Sequence, residues 1–283
     1  MKIEKANDKS RQDHRITGPS ILPYDLIADF YDEDMGRNNP GKDVSFYLDR
    51  ATRVSGSILE LGCGTGRITL PLVNQGCCVD ALDASKPMLR VLERKAEQQL
   101  SVSERQRLTL HWMDMRDLKL EKKFPLILCP FSAFTYLVED EDQDQALRRI
   151  VDHLESGGAF ILDAFVPHYE ELVLPDEHVY FDYRRQLENG LVLEREKTIA
   201  KDLTRQINVV RRTYRFLGAD GSVLKTVTTE ERIRYRFRNE MVLLLQDHGF
   251  EVVEQYGDFE GRPYAYRAAM MVFVCKKEPS AIS

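Results

Sequence analysis

The fold is decided by the stretch Ile58-Leu59-Glu60-Leu61-Gly62-Cys63-Gly64-Thr65-Gly66-Arg67. Here apolar residues alternate around one acid and lead into a loop with glycine at every second position. Residues 68–73, which follow, have the apolar pattern of a helix. Strand, glycine turn and helix together indicate the first unit of a doubly wound α/β sheet. Glycines in such a turn let the backbone adopt positive φ and let a ligand approach main-chain N–H groups.

Length and composition are those of an ordinary globular protein. The chain has 283 residues, of which 43% are hydrophobic and 30% are charged, and its net charge is −6. Nucleic-acid-binding domains are usually basic, so this charge argues against a nucleic-acid partner. No apolar run reaches the roughly 18 residues of a membrane span, and the polar start lacks an apolar signal core. We therefore expect a cytoplasmic protein that does not contact a membrane.

Cysteine and histidine positions predict neither disulfides nor a metal site. The five cysteines stand at positions 63, 77, 78, 129 and 275, without C-x-x-C spacing, and the six histidines show no ligand spacing. An odd number of cysteines without paired spacing does not fit a disulfide framework or a zinc site. We expect buried, reduced thiols and no bound metal.

Four further strands are predicted downstream, near residues 78–82, 108–113, 126–129 and 159–162. Asp83, Asp114 and Asp163 stand after three of these strands. Helical patterns separate the strands, so the sheet is expected to be parallel. Sheets of this kind bind ligands at the carboxyl ends of their strands, where these acids are placed.

The sequence period changes to two between about residues 176 and 238. Apolar residues alternate there with arginines at positions 232, 234, 236 and 238, which predicts an antiparallel sheet inserted after the fifth strand. We expect the arginines of this sheet to form a solvated face paired with Glu194, Glu196, Glu230 and Glu231. Binding of an acidic partner is the alternative interpretation.

The glycine spacing indicates which ligand the loop serves. The order is G-x-G-x-G, and Arg67 occupies the place of the third glycine of a dinucleotide fingerprint, which counts against NAD or FAD. Asp83 can accept hydrogen bonds from both hydroxyls of a ribose. Asp114 can accept from an adenine amine, with the N–H of Met115 facing the ring. Glu60 and the loop amides then lie near a charged amino-acid tail.

On these residues the chain resembles a class I S-adenosylmethionine (SAM)-dependent methyltransferase of the small-molecule N/O type. The resemblance rests on residues 60–66, 83–89, 114–117 and 129–132, and extends to residues 24–32 and the closing hairpin. It implies a Rossmann-like sheet of seven strands, the last antiparallel, with the insert between the fifth and sixth strands. It also implies SAM as cofactor and S-adenosylhomocysteine as product. An N/D-P-P-Y motif is missing after the fourth strand, which argues against adenine, cytosine or glutamine as acceptor.

The chain divides into four segments on these patterns. Residues 1–50 form a polar tail and lid helices, and residues 51–175 the SAM-binding core. Residues 176–240 form the antiparallel insert, and residues 241–283 a helix and the closing hairpin. Tyr24 and Tyr31 fit two interpretations equally, as core packing of an N-terminal helix or as a lid over the ligand. The chain is expected to be a monomer, or a homodimer that associates through the insert.

The resemblance also carries over a set of site residues. The cofactor-binding positions it implies are Tyr31, Glu60, Gly62, Cys63, Gly64, Gly66, Asp83, Ala84, Met88, Asp114, Met115, Arg116, Pro130 and Phe131. The candidates for a general base are Tyr31, Tyr136, Asp163 and His168, with His168 preferred because it follows the fifth strand. Each of the four fits equally well as a hydrogen-bonded wall residue.

The function predicted from these features is methyl transfer to nitrogen or oxygen of a small molecule by in-line displacement. The protein's main task is to align the acceptor with an already electrophilic methyl group. A neutral amine needs little help from a base, whereas a hydroxyl needs a general base. The alternatives are a methyltransferase that acts on RNA or protein, and a non-catalytic SAM-binding or scaffold protein.

Overall fold

The computed structural model describes residues 21–35, 41–176, 178–265 and 267–277, and a seven-stranded sheet is its main feature. The strands are β1 (Ser57–Leu61), β2 (Cys78–Asp83), β3 (Leu108–Trp112), β4 (Phe124–Cys129), β5 (Leu154–Phe165), β6 (Tyr180–Gln186), β7 (Val192–Asp202), β8 (Ile207–Leu217), β9 (Val223–Arg234), β10 (Phe250–Tyr256) and β11 (Met270–Lys277). The large sheet has the order β10-β11-β5-β4-β1-β2-β3, and β11 runs antiparallel to both neighbours. The predicted fold is confirmed.

Helices connect the strands and cover the sheet. They are α1 (Tyr31–Met35), α2 (Lys42–Ala51), α3 (Thr69–Asn74), α4 (Lys86–Gln99), α5 (Val102–Arg105), α6 (Asp140–His153), α7 (Tyr169–Leu172) and α8 (Arg238–Asp247). Helix α4 has a capped start, because Ser85 accepts a hydrogen bond from the backbone N–H of Met88 and proline stands in the first turn. Among the described residues, no helix is long and apolar enough to span a membrane.

The core lies on both faces of the large sheet. Alternate residues of one strand belong to different buried clusters: Leu59 and Leu61 pack on one face, and Ile58 packs on the other. Both faces of a parallel sheet are normally buried in this way, which explains the nearly continuous apolar runs of β1 and β4. The ends of the strands, rather than their faces, are therefore left to bind a ligand.

The N-terminal segment is a series of helical turns rather than one helix. Two 3₁₀ turns (Pro23–Leu26 and Ala28–Phe30) precede α1, because the backbone at Ile27 (φ −117°, ψ 0°) departs from helical values. Ile27 and Phe30 are buried against the four-stranded sheet β6-β7-β8-β9 and against α4. The segment is thus held between the insert and the core.

At the end of the insert the predicted solvated face is wrong for two arginines, which are largely buried against the core. Arg234 and Arg236 are only 12% and 13% exposed, and both pair with Asp140 at the start of α6 (3.0 and 2.6 Å). Arg232 pairs with Glu139 at 3.5 Å. The four glutamates do pair with arginines of the insert, as expected: Glu194 with Arg184, Glu196 with Arg215, Glu230 with Arg211 and Glu231 with Arg212. Sequence alternation did not reveal that α6 approaches this strand.

The burial of each cysteine depends on where it lies in the sheet. Cys63, Cys129 and Cys275 are free and buried, as predicted. Cys78 is exposed, so the prediction of burial is wrong there, because it is the first residue of β2 and lies at the amino edge of the sheet. The described residues contain no cluster of side chains that could hold a metal ion.

Candidate active site

The glycine loop lies at the carboxyl edge of the sheet with positive φ at Gly62, Gly64 and Gly66. A Cβ on Gly62 would stand 2.8 Å from Ala133, and one on Gly66 would stand 2.2 Å from Leu92. At Gly64 (φ +54°) a Cβ would meet no atom within 4 Å. Two glycines are thus required by packing, while the middle one faces open space in which a ligand can approach the backbone.

Asp83 joins the glycine loop to the end of β2. Its carboxylate accepts hydrogen bonds from the backbone N–H groups of Gly64 (2.8 Å) and Ser85 (2.7 Å). Burial raises the pKa of Asp83 above its usual value, although these two N–H bonds oppose the shift. A carboxylate has about four lone-pair positions, so two remain for the hydroxyls of a ribose.

The Asp114 side chain is held by Arg116, another of the predicted cofactor-binding residues. Its carboxylate accepts hydrogen bonds from Nε and Nη2 of Arg116 at 3.0 and 2.8 Å. Arg116 also reaches Asp142 on α6 at 3.1 Å, and Met115 packs partly in the core. This arrangement fixes the 3₁₀ turn Met115–Asp117 after β3 and leaves the Asp114 side chain 27% exposed.

Glu60 lies beneath the glycine loop. It is 1% exposed and accepts a hydrogen bond from the Thr69 hydroxyl at 2.6 Å. Burial raises the pKa of Glu60 to about 7, against the opposing effects of Thr69 and Arg67. Because Glu60 lies at the end of β1 beneath the glycine loop, it can affect a ligand that binds to that loop.

Asp163 fixes the loop that follows β4. Its carboxylate accepts from the backbone N–H groups of Phe131 (2.7 Å) and Ser132 (2.8 Å) and from the hydroxyl of Tyr47 (2.6 Å). Phe131 and Ser132 are both left-handed (φ +58° and +57°), which non-glycine residues rarely adopt. Asp163 is fully buried with three donors around it, so it supports the loop and is not placed to act as the general base.

Phe131, in the loop after β4, contacts Arg67, which follows the glycine loop, and this contact connects the two loops. The Arg67 guanidinium lies 4.9 Å from the centre of the Phe131 ring and 2.5 Å from the carboxylate of Asp43 on α2. A stacked guanidinium of this kind is a favourable cation–π contact. The predicted aromatic residue is therefore at the site, with one face already in contact with a cation.

The N-terminal segment lies over the glycine loop. The Thr65 hydroxyl donates to Asp32 at 2.6 Å, and the Ser85 hydroxyl donates to Asp25 at 2.5 Å. Burial raises the pKa of Tyr31, and the charges of Arg67 and Asp83 also act on it, so its phenol lies near the cofactor loop. The segment therefore satisfies both interpretations of Tyr24 and Tyr31, since it packs in a core cluster and also covers the loop.

The same segment is fastened to the insert by Asp34. This carboxylate is 1% exposed and accepts from Arg195 (2.7 Å), from the hydroxyl of Tyr214 (3.2 Å) and from that of Tyr183. Asp34 is thus a fixed point between the lid and the second sheet.

A hydrogen-bonded chain connects the N-terminal segment to the insert. The hydroxyls of Tyr24 and Tyr136 are bonded to each other, and Tyr136 donates to Glu231 at 3.2 Å. Glu231 is 2% exposed and forms an ion pair with Arg212. Sequence reasoning found Tyr136 but missed Glu231 and Arg212, which it had assigned to an exposed face. The available signal was the position of Glu231 on β9, where the period of two places this acid in line with the buried residues.

His168 and several cofactor candidates lie outside this hydrogen-bonded chain. His168 precedes α7, and within the described residues its imidazole has no hydrogen-bond or ion-pair partner. Met88 is buried under the N-terminal segment. The carbonyl groups of Ala84 and Pro130 accept from Trp112 Nε1 (3.0 Å) and from Ala133 (3.3 Å). The preference for His168 therefore gains no support from its surroundings.

The known proteins that resemble this chain are methyltransferases. The profile of a methyltransferase domain matches residues 58–158. The cypemycin N-terminal methyltransferase of a Streptomyces species is 27% identical over 267 residues, which are 93% of this chain and 100% of that protein. The dTDP-3-amino-3,6-dideoxy-α-D-glucopyranose N,N-dimethyltransferase of Streptomyces fradiae is 27% identical over 50% of this chain and 51% of its own.

Solved structures agree in fold. The CcbJ methyltransferase of Streptomyces caelestis superposes with a TM-score of 0.75 at 26% identity, covering 92% of this chain and 100% of that one. Streptomyces venezuelae DesVI gives a TM-score of 0.69 at 21% identity, covering 89% and 98%. The enzyme is a SAM-dependent methyltransferase, as its sequence predicts, and SAM is its cofactor.

Proposed function

We propose that the enzyme methylates an amine nitrogen of a small molecule held between the lid and the insert. The observation that carries this proposal is the position of the N-terminal segment, which is bonded to the glycine loop through Asp32 and to the insert through Asp34. An acceptor held between these two attachments would be a small molecule or the free end of a chain.

The activities of the relatives support nitrogen over oxygen. They are a peptide N-terminal methyltransferase and N,N-dimethyltransferases of dTDP-amino sugars. These acceptors share an aliphatic amine. The residues that would hold SAM are the amides of the glycine loop, Asp83 and the turn after β3, and the sulfonium supplies the electrophilic methyl group. The residues of the lid and of the loop after β4 would orient the amine and exclude water.

The insert gives little support to the RNA alternative. Its arginines at positions 232, 234 and 236 pair with Glu139 and Asp140, and the net charge of the chain is −6. RNA binding needs basic groups free to contact phosphates. We accordingly propose that the enzyme does not use a nucleic acid, that it works in the cytoplasm, and that it is a monomer or a homodimer. Sedimentation at two concentrations distinguishes the last two states.

Calorimetry with SAM tests the cofactor site. Asp83→Ala is expected to weaken SAM binding about tenfold or more, because it removes a partner of the loop and two acceptors for the ribose. Asp152→Ala, an exposed aspartate on α6, is the matched control and should bind SAM like the wild type. Equal binding by Asp83→Ala would contradict the assigned site.

Matched acceptors test the acceptor atom. S-adenosylhomocysteine formation is measured with dTDP-3-amino-3,6-dideoxy-α-D-glucopyranose and with its 3-hydroxy counterpart, and with a short peptide before and after N-acetylation. The amine of at least one pair should be methylated and its blocked or hydroxyl counterpart should not. Turnover of the hydroxyl compound alone would overturn the proposal.

A further inference from the structure

We propose that Tyr24, Tyr136 and Glu231 form a directed proton path, which takes one proton from the amine acceptor and delivers it to Glu231. This inference rests on the proposed amine acceptor. It assigns a role to Glu231, a residue of the insert that the methyltransferase domain match at residues 58–158 does not include. Tyr24 would contact the amine, and Tyr136 and Glu231 would act through it.

The direction of the path follows from hydrogen-bond chemistry. An ionised carboxylate only accepts, so the hydroxyl hydrogen of Tyr136 is committed to Glu231. The bond between Tyr24 and Tyr136 must then be donated by Tyr24. Both phenols donate toward Glu231, and the Tyr24 oxygen keeps its lone pairs for a donor outside the chain. Within the described residues that oxygen has no second partner.

The free end of the path lies on the cofactor side. The Tyr24 ring meets the Tyr31 ring edge-on with centroids 5.8 Å apart, and the adjacent Asp25 and Asp32 accept hydrogen bonds from Ser85 and from Thr65 of the glycine loop. The other end lies on β9, which packs against the two 3₁₀ turns that carry Tyr24 and Tyr136. The path therefore leads from the expected position of the methyl group into the insert.

The Glu231 carboxylate is held in a fixed position at the end of the path. Arg212 balances its charge, and the Thr229 hydroxyl donates to its second oxygen at 3.3 Å. The titratable groups that act on it or on the path are Arg212 on β8, Tyr24, Tyr31 and Tyr136 from the core side, and Tyr214 on the insert. Burial and the charge of Glu231 raise the pKa of both Tyr24 and Tyr136, so both remain neutral donors.

The proposed proton and methyl transfers conserve protons and electrons. An aliphatic amine is an ammonium ion at neutral pH and has no free electron pair. It gives one proton to the Tyr24 oxygen, Tyr24 gives its own to Tyr136, and Tyr136 gives its own to Glu231. The freed pair forms the N–C bond while the C–S bond breaks with its electrons remaining on sulfur. The methylated product keeps its positive charge, and Glu231 releases the proton to water when the lid opens.

The decisive variant is Glu231→Gln, which keeps the shape and an acceptor oxygen but cannot take the proton. With the amine sugar nucleotide or peptide as probe, kcat at pH 7 should fall about 100-fold while KM for SAM stays unchanged. The remaining rate should rise as the pH approaches the pKa of the free ammonium, because only amine that has already lost its proton in solution then reacts. Tyr24→Phe should behave in the same way.

The matched control is Glu230→Gln. Glu230 is the adjacent residue on β9, faces solvent, and pairs with Arg211 as Glu231 pairs with Arg212. It should leave kcat and the pH profile unchanged. A pH profile of Glu231→Gln that matches the wild type would overturn the path.

A second measurement does not depend on turnover. In the S-adenosylhomocysteine complex with tyrosine labelled by ¹³C at Cζ, Glu231→Gln should shift the resonances of both Tyr24 and Tyr136, and Glu230→Gln should shift neither. An unmoved Tyr24 resonance would overturn the direction of the path while leaving the proposed function intact. A wild type that methylates only hydroxyl acceptors would overturn both.

Discussion

At the scale of single residues, the site depends on three buried acids, two of which hold a piece of backbone. Asp163 holds two left-handed residues, Asp83 holds the glycine loop, and Glu60 lies under that loop. Burial raises the pKa of all three, so each ionised acid costs stability in the folded protein. Acids kept at such a cost are typical of functional sites.

Glu60→Gln should change the pH dependence of stability. The pKa of Glu60 is about 7 in the folded state against 4.5 when unperturbed, so the folded protein binds its proton more tightly. Wild-type stability should therefore fall relative to the variant as pH rises from 4.5 through 7, by about 3 kcal/mol at most. Urea unfolding at pH 5 and 8 measures the difference. The exposed Glu93→Gln should follow the wild type, and parallel curves for Glu60→Gln would contradict the assignment.

Asp163→Asn should loosen the loop after β4. An amide presents an NH₂ group where the carboxylate accepts from two backbone N–H groups, which leaves one of them without a partner. The expected loss is about 1–3 kcal/mol in unfolding free energy, together with weaker SAM binding. Tyr47→Phe removes only the third donor and should cost less, about 1 kcal/mol. Equal losses in the two variants would show that the backbone bonds do not dominate.

At the scale of elements, local signals determined most of the architecture. The strand, glycine turn and helix from β1 to α3, and the Ser85 cap of α4, needed only periodicity and capping chemistry. The N-terminal turns were predicted as one helix because their apolar residues have helical spacing. Packing between α4 and the insert breaks that helix at Ile27, and this contact is invisible in a local sequence window.

Thr65→Val should weaken the closed state of the lid. It removes the hydrogen bond to Asp32 and keeps the shape of the side chain. One such bond contributes about 1 kcal/mol, so SAM should dissociate about fivefold faster in stopped-flow measurements. Thr109→Val makes the same exchange at an exposed position of β3 and should leave the rate unchanged. An unaltered rate for Thr65→Val would show that the contact does not control exchange.

At the scale of the whole molecule, the sequence predicts which candidate cofactor residues share one edge of the sheet, but it does not predict how the lid meets the insert. The predicted cofactor positions lie at the ends of β1 to β4, where topology alone brings them together. Tyr24, Tyr136 and Glu231 lie in three distant parts of the chain. Their meeting depends on how the insert docks, which depends on pairs such as Arg236 with Asp140.

Asp140→Arg should loosen this docking. Asp140 pairs with two arginines of the insert, and reversing its charge creates repulsion at both. We expect a lower melting temperature and faster proteolysis of the insert, more pronounced at low salt because these groups are partly exposed. Adding Arg236→Glu should restore part of the loss. The absence of any rescue would show that packing, rather than charge, holds the two sheets together.

The lid is bonded to the glycine loop through Asp32 and to the insert through Asp34, and this imposes an order of events. Whatever occupies the loop is trapped beneath the lid before an acceptor can fill the remaining space. Steady-state kinetics should therefore be sequential and ordered, with SAM as the leading substrate and its demethylated form as the last product to leave. Inhibition by S-adenosylhomocysteine should be competitive toward SAM and noncompetitive toward the amine.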